Sequence, residues 1–139
     1  MIEVVNRQRK VPIDPQSWLS FSEKALSAIP KASGNATIAF VSDRQIKELN
    51  RRFRGIDKAT DVLSFPAGVE TKGEPANLGD IAISLERAAI QAKENQLKLD
   101  AEIAQLILHG LLHLCGYDHE TDKGEMNRLE LKLREELKI

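Results

Sequence analysis

At 139 residues and 42% hydrophobic content, the chain carries enough apolar side chains for one core, and a single domain over residues 1–139 is expected. Twenty basic residues against twenty-one acidic ones give a net charge of −1, which excludes a general attraction to polyanions, so any nucleic acid must be met by a local patch. One cysteine, Cys115, excludes an internal disulfide and suits a reducing compartment.

The opening Met-Ile-Glu-Val-Val-Asn is acidic before it is basic, unlike a secretory signal. Ile2 to Asn6 reads as a strand. Asp14-Pro15 then starts a helix through about Ile29, with aspartate as the cap and proline in the first helical position, and Pro30 and Gly34 end it. Residues 36 to 41 form a second strand. Ser42 and Gln45 stand in capping-box spacing before a helix whose buried stripe is expected to be Ile46, Leu49 and Phe53. Asp61 to Phe65 and Leu78 to Ser84 read as two more strands. The loop between them, about 66 to 77, holds Pro66, Gly68, Gly73 and Pro75 and is expected to be the most mobile part.

Ser84 caps a helix to about Gln96, Asp100 is expected to cap the next, and Asp122 with Glu125 opens a last helix with Met126, Leu129, Leu133 and Leu137 as its stripe. The fold class is therefore α+β, a small mixed four-stranded sheet packed with about five helices. The longest apolar stretch, Leu106 to Gly116, is too short to span a bilayer and is interrupted by two histidines, so a cytoplasmic protein without a membrane partner is expected.

The helix from Asp100 to Cys115 is apolar on nearly every side and should be the central buried one. At about 100° per residue, its polar members Glu102, Gln105, His109 and His113 share one narrow sector. The three histidines of the chain, His109, His113 and His119, all fall within eleven residues. A four-residue step puts the first two imidazoles on one helix face, and Gly116 permits a turn that returns the third. Two buried imidazoles without a shared ligand would each need a separate partner, at roughly 1–3 kcal/mol if unmet. Three nitrogens suit Zn2+, one per chain, with its fourth tetrahedral position left for water or substrate, as in catalytic centres. Cys115 lies on another side of the helix and is assigned to packing.

These offsets equal those of the metzincin proteases, His-Glu-x-x-His-x-x-Gly-x-x-His, but Gly110 stands where those enzymes carry their glutamate base. The peptidase route is thereby removed and the metal cage kept. Asp118 and Glu120 are candidates for the missing base. Asp118 equally suits an outer-shell acceptor for a ligating histidine or a cap of the following turn. Arg51, Arg52, Arg54 and Lys58 form the densest basic cluster, at a helix end where cations also suit the helix dipole.

The run His-Gly-Leu-Leu-His-Leu-Cys-Gly-Tyr-Asp-His resembles the signature of the YbeY family of bacterial rRNA maturation factors. Phe53-Arg54-Gly55 through Thr60-Asp61-Val62-Leu63-Ser64-Phe65-Pro66 resembles a second family motif, and Leu78-Gly79-Asp80-Ile81-Ala82-Ile83-Ser84 a third. The resemblance is close over about residues 40 to 120. It implies that His109, His113 and His119 hold zinc and that Arg54 lines the same cleft. It also implies a single-strand-specific, metal-dependent endoribonuclease acting on the 3′ end of the small-subunit rRNA and in ribosome quality control. Expected partners are single-stranded rRNA and the small ribosomal subunit or its proteins, and no DNA.

On that reading Arg54 and Asp118 are the catalytic candidates, Arg54 offering a planar donor fork to phosphate, while Arg52 and Lys58 hold the strand by charge. Water and the neighbouring 2′-hydroxyl both stay open as nucleophile. Four Phe, one Tyr and one Trp are too few to stack successive bases, so weak sequence readout is expected. A different class of protein also fits: a ribosome assembly factor with a largely structural zinc and a basic cluster that docks on RNA or protein.

Overall fold

The computed structural model describes residues 1–67, 76–118 and 120–139. The elements run β1 (Ile2–Asn6), α1 (Pro15–Ala28), β2 (Asn35–Val41), α2 (Asp43–Arg54), β3 (Val62–Pro66), β4 (Asn77–Ser84), α3 (Leu85–Glu94), α4 (Leu99–Leu114) and α5 (Glu125–Leu137). The expected α+β class is what forms: four strands in the order β1-β2-β4-β3, with β1, β2 and β4 parallel and β3 antiparallel to β4.

Strand alternation divides the core between the two faces of the sheet. Ile38, Phe40, Ile81 and Ile83 point to one face and meet α1 and α4, where Ile107, Leu108, Leu111 and Leu112 are fully buried. Val41, Leu63 and Ala82 point to the other, under Ile46 of α2. Helix α4 is pressed so tightly on β4 that a methyl group at Gly110 would lie 2.8 Å from Cδ1 of Ile81. The position that is glutamate in the metzincin proteases thus faces packed sheet, and no carboxylate fits there.

Local sequence explains most helix ends. Asp14 accepts the Gln16 amide at 3.1 Å ahead of Pro15, and Ser42 and Gln45 close the foreseen capping box at 3.2 and 2.8 Å. Ser84 ends β4 and caps α3 through the Arg87 amide.

Several expectations are corrected. Lys98, not Asp100, is the N-cap of α4, and Asp100 lies in the first turn, where its charge suits the dipole. Gly124 is the N-cap of α5, yet Asp122 still serves that end, accepting the Gly124 and Met126 amides at 2.8 and 2.9 Å. Pro66, expected in the loop, pairs with Gly79 at the end of edge strand β3, a place that tolerates a missing amide hydrogen.

Phe53 is the clearest correction. It is 62% exposed in the last turn of α2, its ring meeting that of Phe65 edge to face at 5.4 Å. Its place in the stripe is taken by Asn50, buried at 5% exposure with its Nδ2 donating to the Lys58 carbonyl at 2.9 Å. The mobility expected of the loop 66–77 concerns residues 68–75, outside the described residues.

Candidate metal centre and cleft

The C-terminal end of α4 is shaped by Gly116. Its φ of +97°, strained for other residues, lets the Tyr117 amide bond back to the Leu112 carbonyl and the Gly116 amide to that of His113, both at 3.0 Å. This turn brings the Tyr117 carbonyl to 3.0 Å from Nδ1 of His113. One helical turn earlier, Nδ1 of His109 meets the Glu130 carboxylate of α5, at 3.1 Å from Oε1 and 3.3 Å from Oε2.

A carbonyl and a carboxylate only accept, so both neutral rings carry their proton on Nδ1 and direct Nε2 lone pairs outward. Those two Nε2 atoms face each other at 3.1 Å, with the rings 82° apart in plane. Two nitrogens each about 2.0–2.1 Å from a tetrahedral zinc stand roughly 3.3–3.4 Å apart, so the pair fits a shared metal after a small adjustment. Among the described residues no cluster of three or more His, Cys, Asp or Glu converges as a complete cage. The third predicted ligand, His119, is outside the described residues.

Glu130 is buried, at 7% exposure, and shares its charge with Arg134, whose Nη2 donates to Oε2 at 3.1 Å. Burial by itself raises the Glu130 carboxyl, but the hydrogen bond from His109, with the charge and hydrogen bond of Arg134, holds it below the ordinary carboxylate value.

The histidine pair opens into a cleft of about 650 Å³ between α4, the turn after it and β3. Val62, Ser64 and Pro66 of β3 line one wall, and Arg54, Asp118 and Glu120 stand around it. Arg54 reaches in from the end of α2, its Nη2 donating to the Ser64 carbonyl at 3.3 Å. The fold therefore brings together Arg54, His109, His113 and Asp118, residues spread over sixty-five positions of the sequence.

Arg52 and Lys58 are exposed and do not line this cleft; Arg52 lies 5.8 Å from the Phe53 ring centre. Asp118 accepts the Glu120 amide at 2.9 Å through Oδ1, and its carbonyl accepts those of Thr121 and Asp122, so it organises the turn as well as facing the cleft. Cys115 is half-buried against the core, lines a different cavity, and has its thiol pushed up by burial.

The polar sector of α4 continues from His109 toward its N-terminal end along a second cavity of about 470 Å³, lined by Asp61, Glu102, Gln105, His109, Glu130 and Arg134. Glu102 is tolerated at 4% exposure because the Asn95 amide reaches it at 3.4 Å and that of Gln91, turned toward it, at 3.2 Å.

Sequence reasoning missed Glu130 and the Tyr117 carbonyl. For Glu130 a signal existed: it lies four residues after Met126 and three before Leu133, so a carboxylate stands in the apolar stripe of α5 and needs a partner.

A mixed sheet of this topology, with a buried helix turning two imidazoles into a cleft that Arg54 also lines, defines an α+β protein with a candidate metal centre. The particular family follows from comparison. The family model described as Endoribonuclease YbeY matches residues 3–138, and the chain belongs to that family. An Endoribonuclease YbeY of Koribacter versatilis is 46% identical over 98% of this chain and 86% of its own length. One of Alkaliphilus metalliredigens is 43% identical over 90% and 87%. The solution structure of a Thermotoga maritima protein superposes with a TM-score of 0.66 at 30% identity, covering 99% of this chain and 89% of that one.

Proposed function

We propose that this protein is a zinc-dependent endoribonuclease that cuts single-stranded RNA, acting in maturation of the small-subunit rRNA 3′ end and in ribosome quality control. Family membership supports the endoribonuclease activity. The observation that carries the metal is the approach of the two Nε2 atoms to 3.1 Å while both Nδ1 atoms are committed to acceptors. His109, His113 and His119 would hold one Zn2+. When bound, zinc supplies Lewis-acid polarisation and a more acidic water.

The chain's own groups supply the rest. Arg54 spends one N–H on Ser64 and keeps others of its planar fork for a phosphate in the cleft. Asp118 faces the same space and would take the proton of the attacking water or 2′-hydroxyl, its carboxylate steadied by the Glu120 amide. Arg52 and Lys58, outside the cleft, hold the flanking strand through phosphate charge. Ribosomal partners supply the site choice that so few aromatic residues cannot.

Metal analysis and RNA cleavage on one purified sample, before and after chelation, test the reading. Near one zinc per chain, loss of cleavage on chelation and return on adding zinc are expected. Undiminished cleavage by metal-free protein would sink it.

A further inference from the structure

Both imidazoles of the pair are oriented from behind, but by different means. His113 takes its orientation from the backbone carbonyl of Tyr117, fixed by the Gly116 turn next to it in sequence. His109 takes its orientation from the Glu130 side chain, twenty-one residues onward on another helix. Arg134, one turn further along α5, fixes the second carboxylate oxygen at 3.1 Å. The chain Arg134–Glu130–His109 thus runs from α5 to the edge of the cleft.

We propose that Glu130 is a positioning residue of the metal centre, holding His109 in the Nδ1–H form with its Nε2 aimed at the cation, and that Arg134 keeps the carboxylate in place. The inference rests on the zinc reading above and adds α5 to the working parts of the site. An acceptor behind a ligating imidazole fixes its tautomer and raises its basicity, and its loss typically lowers metal affinity about 10–100-fold. A plain structural ion pair on the same residues would stabilise α5 and leave metal affinity alone.

The full chain, Glu130→Leu, Glu130→Gln and Leu133→Ala are compared by zinc affinity from chelator competition and by melting of the metal-free protein. Leu133, also buried on α5, reports simple loosening of that helix. Glu130→Leu is expected to weaken zinc about 10–100-fold, and Glu130→Gln, which keeps an acceptor without the charge, by less. Leu133→Ala should lower the melting temperature with zinc affinity unchanged. If Glu130→Leu does not fold, Glu130→Gln carries the comparison.

Nitrogen-15 spectra of the imidazoles in metal-free protein give a second readout. His109 is expected in the Nδ1–H form in the parent and in mixed tautomers without Glu130. Parent-like zinc affinity in both Glu130 variants overturns the proposal, as does a His109 spectrum indifferent to Glu130. Failure of the parent itself to bind zinc would instead strike the metal reading, and the imidazole spectra would still decide what Glu130 does.

Discussion

Helix α4 and the end of α2 contribute to one cleft in opposite ways. α4 is buried nearly all round, and its histidines are held by partners at 3.0 to 3.1 Å on their far nitrogens. The end of α2 is exposed from Arg51 to Lys58, rich in charge, and meets the sheet through the 3.3 Å hydrogen bond from Arg54 to Ser64 and the edge of Phe53 on Phe65. Chemistry at a metal needs ligand atoms placed to fractions of an ångström, which a packed core provides. Holding a polyanion needs charge at the right distance, which flexible cations provide even in water.

Removing a ligand should break the contrast most severely. His113→Ala is expected to lose zinc and cleavage together, by more than the roughly 10–100-fold that an outer-shell partner costs. Metal content and RNA cleavage measured on the same preparation check this.

Packing separates the two regions next. Leu111→Ala, fully buried in α4, should cost about 2–5 kcal/mol in denaturant unfolding. Phe53→Ala on α2 should cost no more than about 1.5 kcal/mol, the scale of one aromatic pair. Equal costs would mean that α2 is as deeply seated as α4.

Arg54→Glu sharpens the comparison from the other side. A charge-assisted hydrogen bond is worth about 1.5–3 kcal/mol, so cleavage should fall about 10–150-fold while zinc stays near one per chain. Smallest of all, Arg52→Ala and Lys58→Ala should weaken RNA binding evenly across sequences and each reduce the salt slope by about one, seen in titrations at several salt concentrations.

Much of this was legible beforehand where the cause is local. The capping box at Ser42, the aspartate-proline start of α1 and the polar sector of α4 depend on neighbours within a few residues, and each formed as read, as did a left-handed turn at Gly116. Phe53 was misread because spacing names a face without saying how much of each side chain the partner surface covers, and here Phe65 of β3 meets one side of the ring while 62% of the residue stays exposed. Asn50, four residues after Ile46, shares its face by spacing, but what makes an amide tolerable there is the Lys58 carbonyl folding back to it, which spacing does not show.

By itself the sequence determined the α+β order of elements, the buried helix and the imidazole pair at one turn's separation, because helical periodicity and terminal capping act over short distances. Only the tertiary structure decided that Arg52 and Lys58 stay outside the histidine cleft that Arg54 lines, that Gly110 is pressed on Ile81, and that Glu130 stands behind His109. Those contacts join α2, β4 and α5 to α4, and the packing of elements distant in sequence fixes which side chains meet.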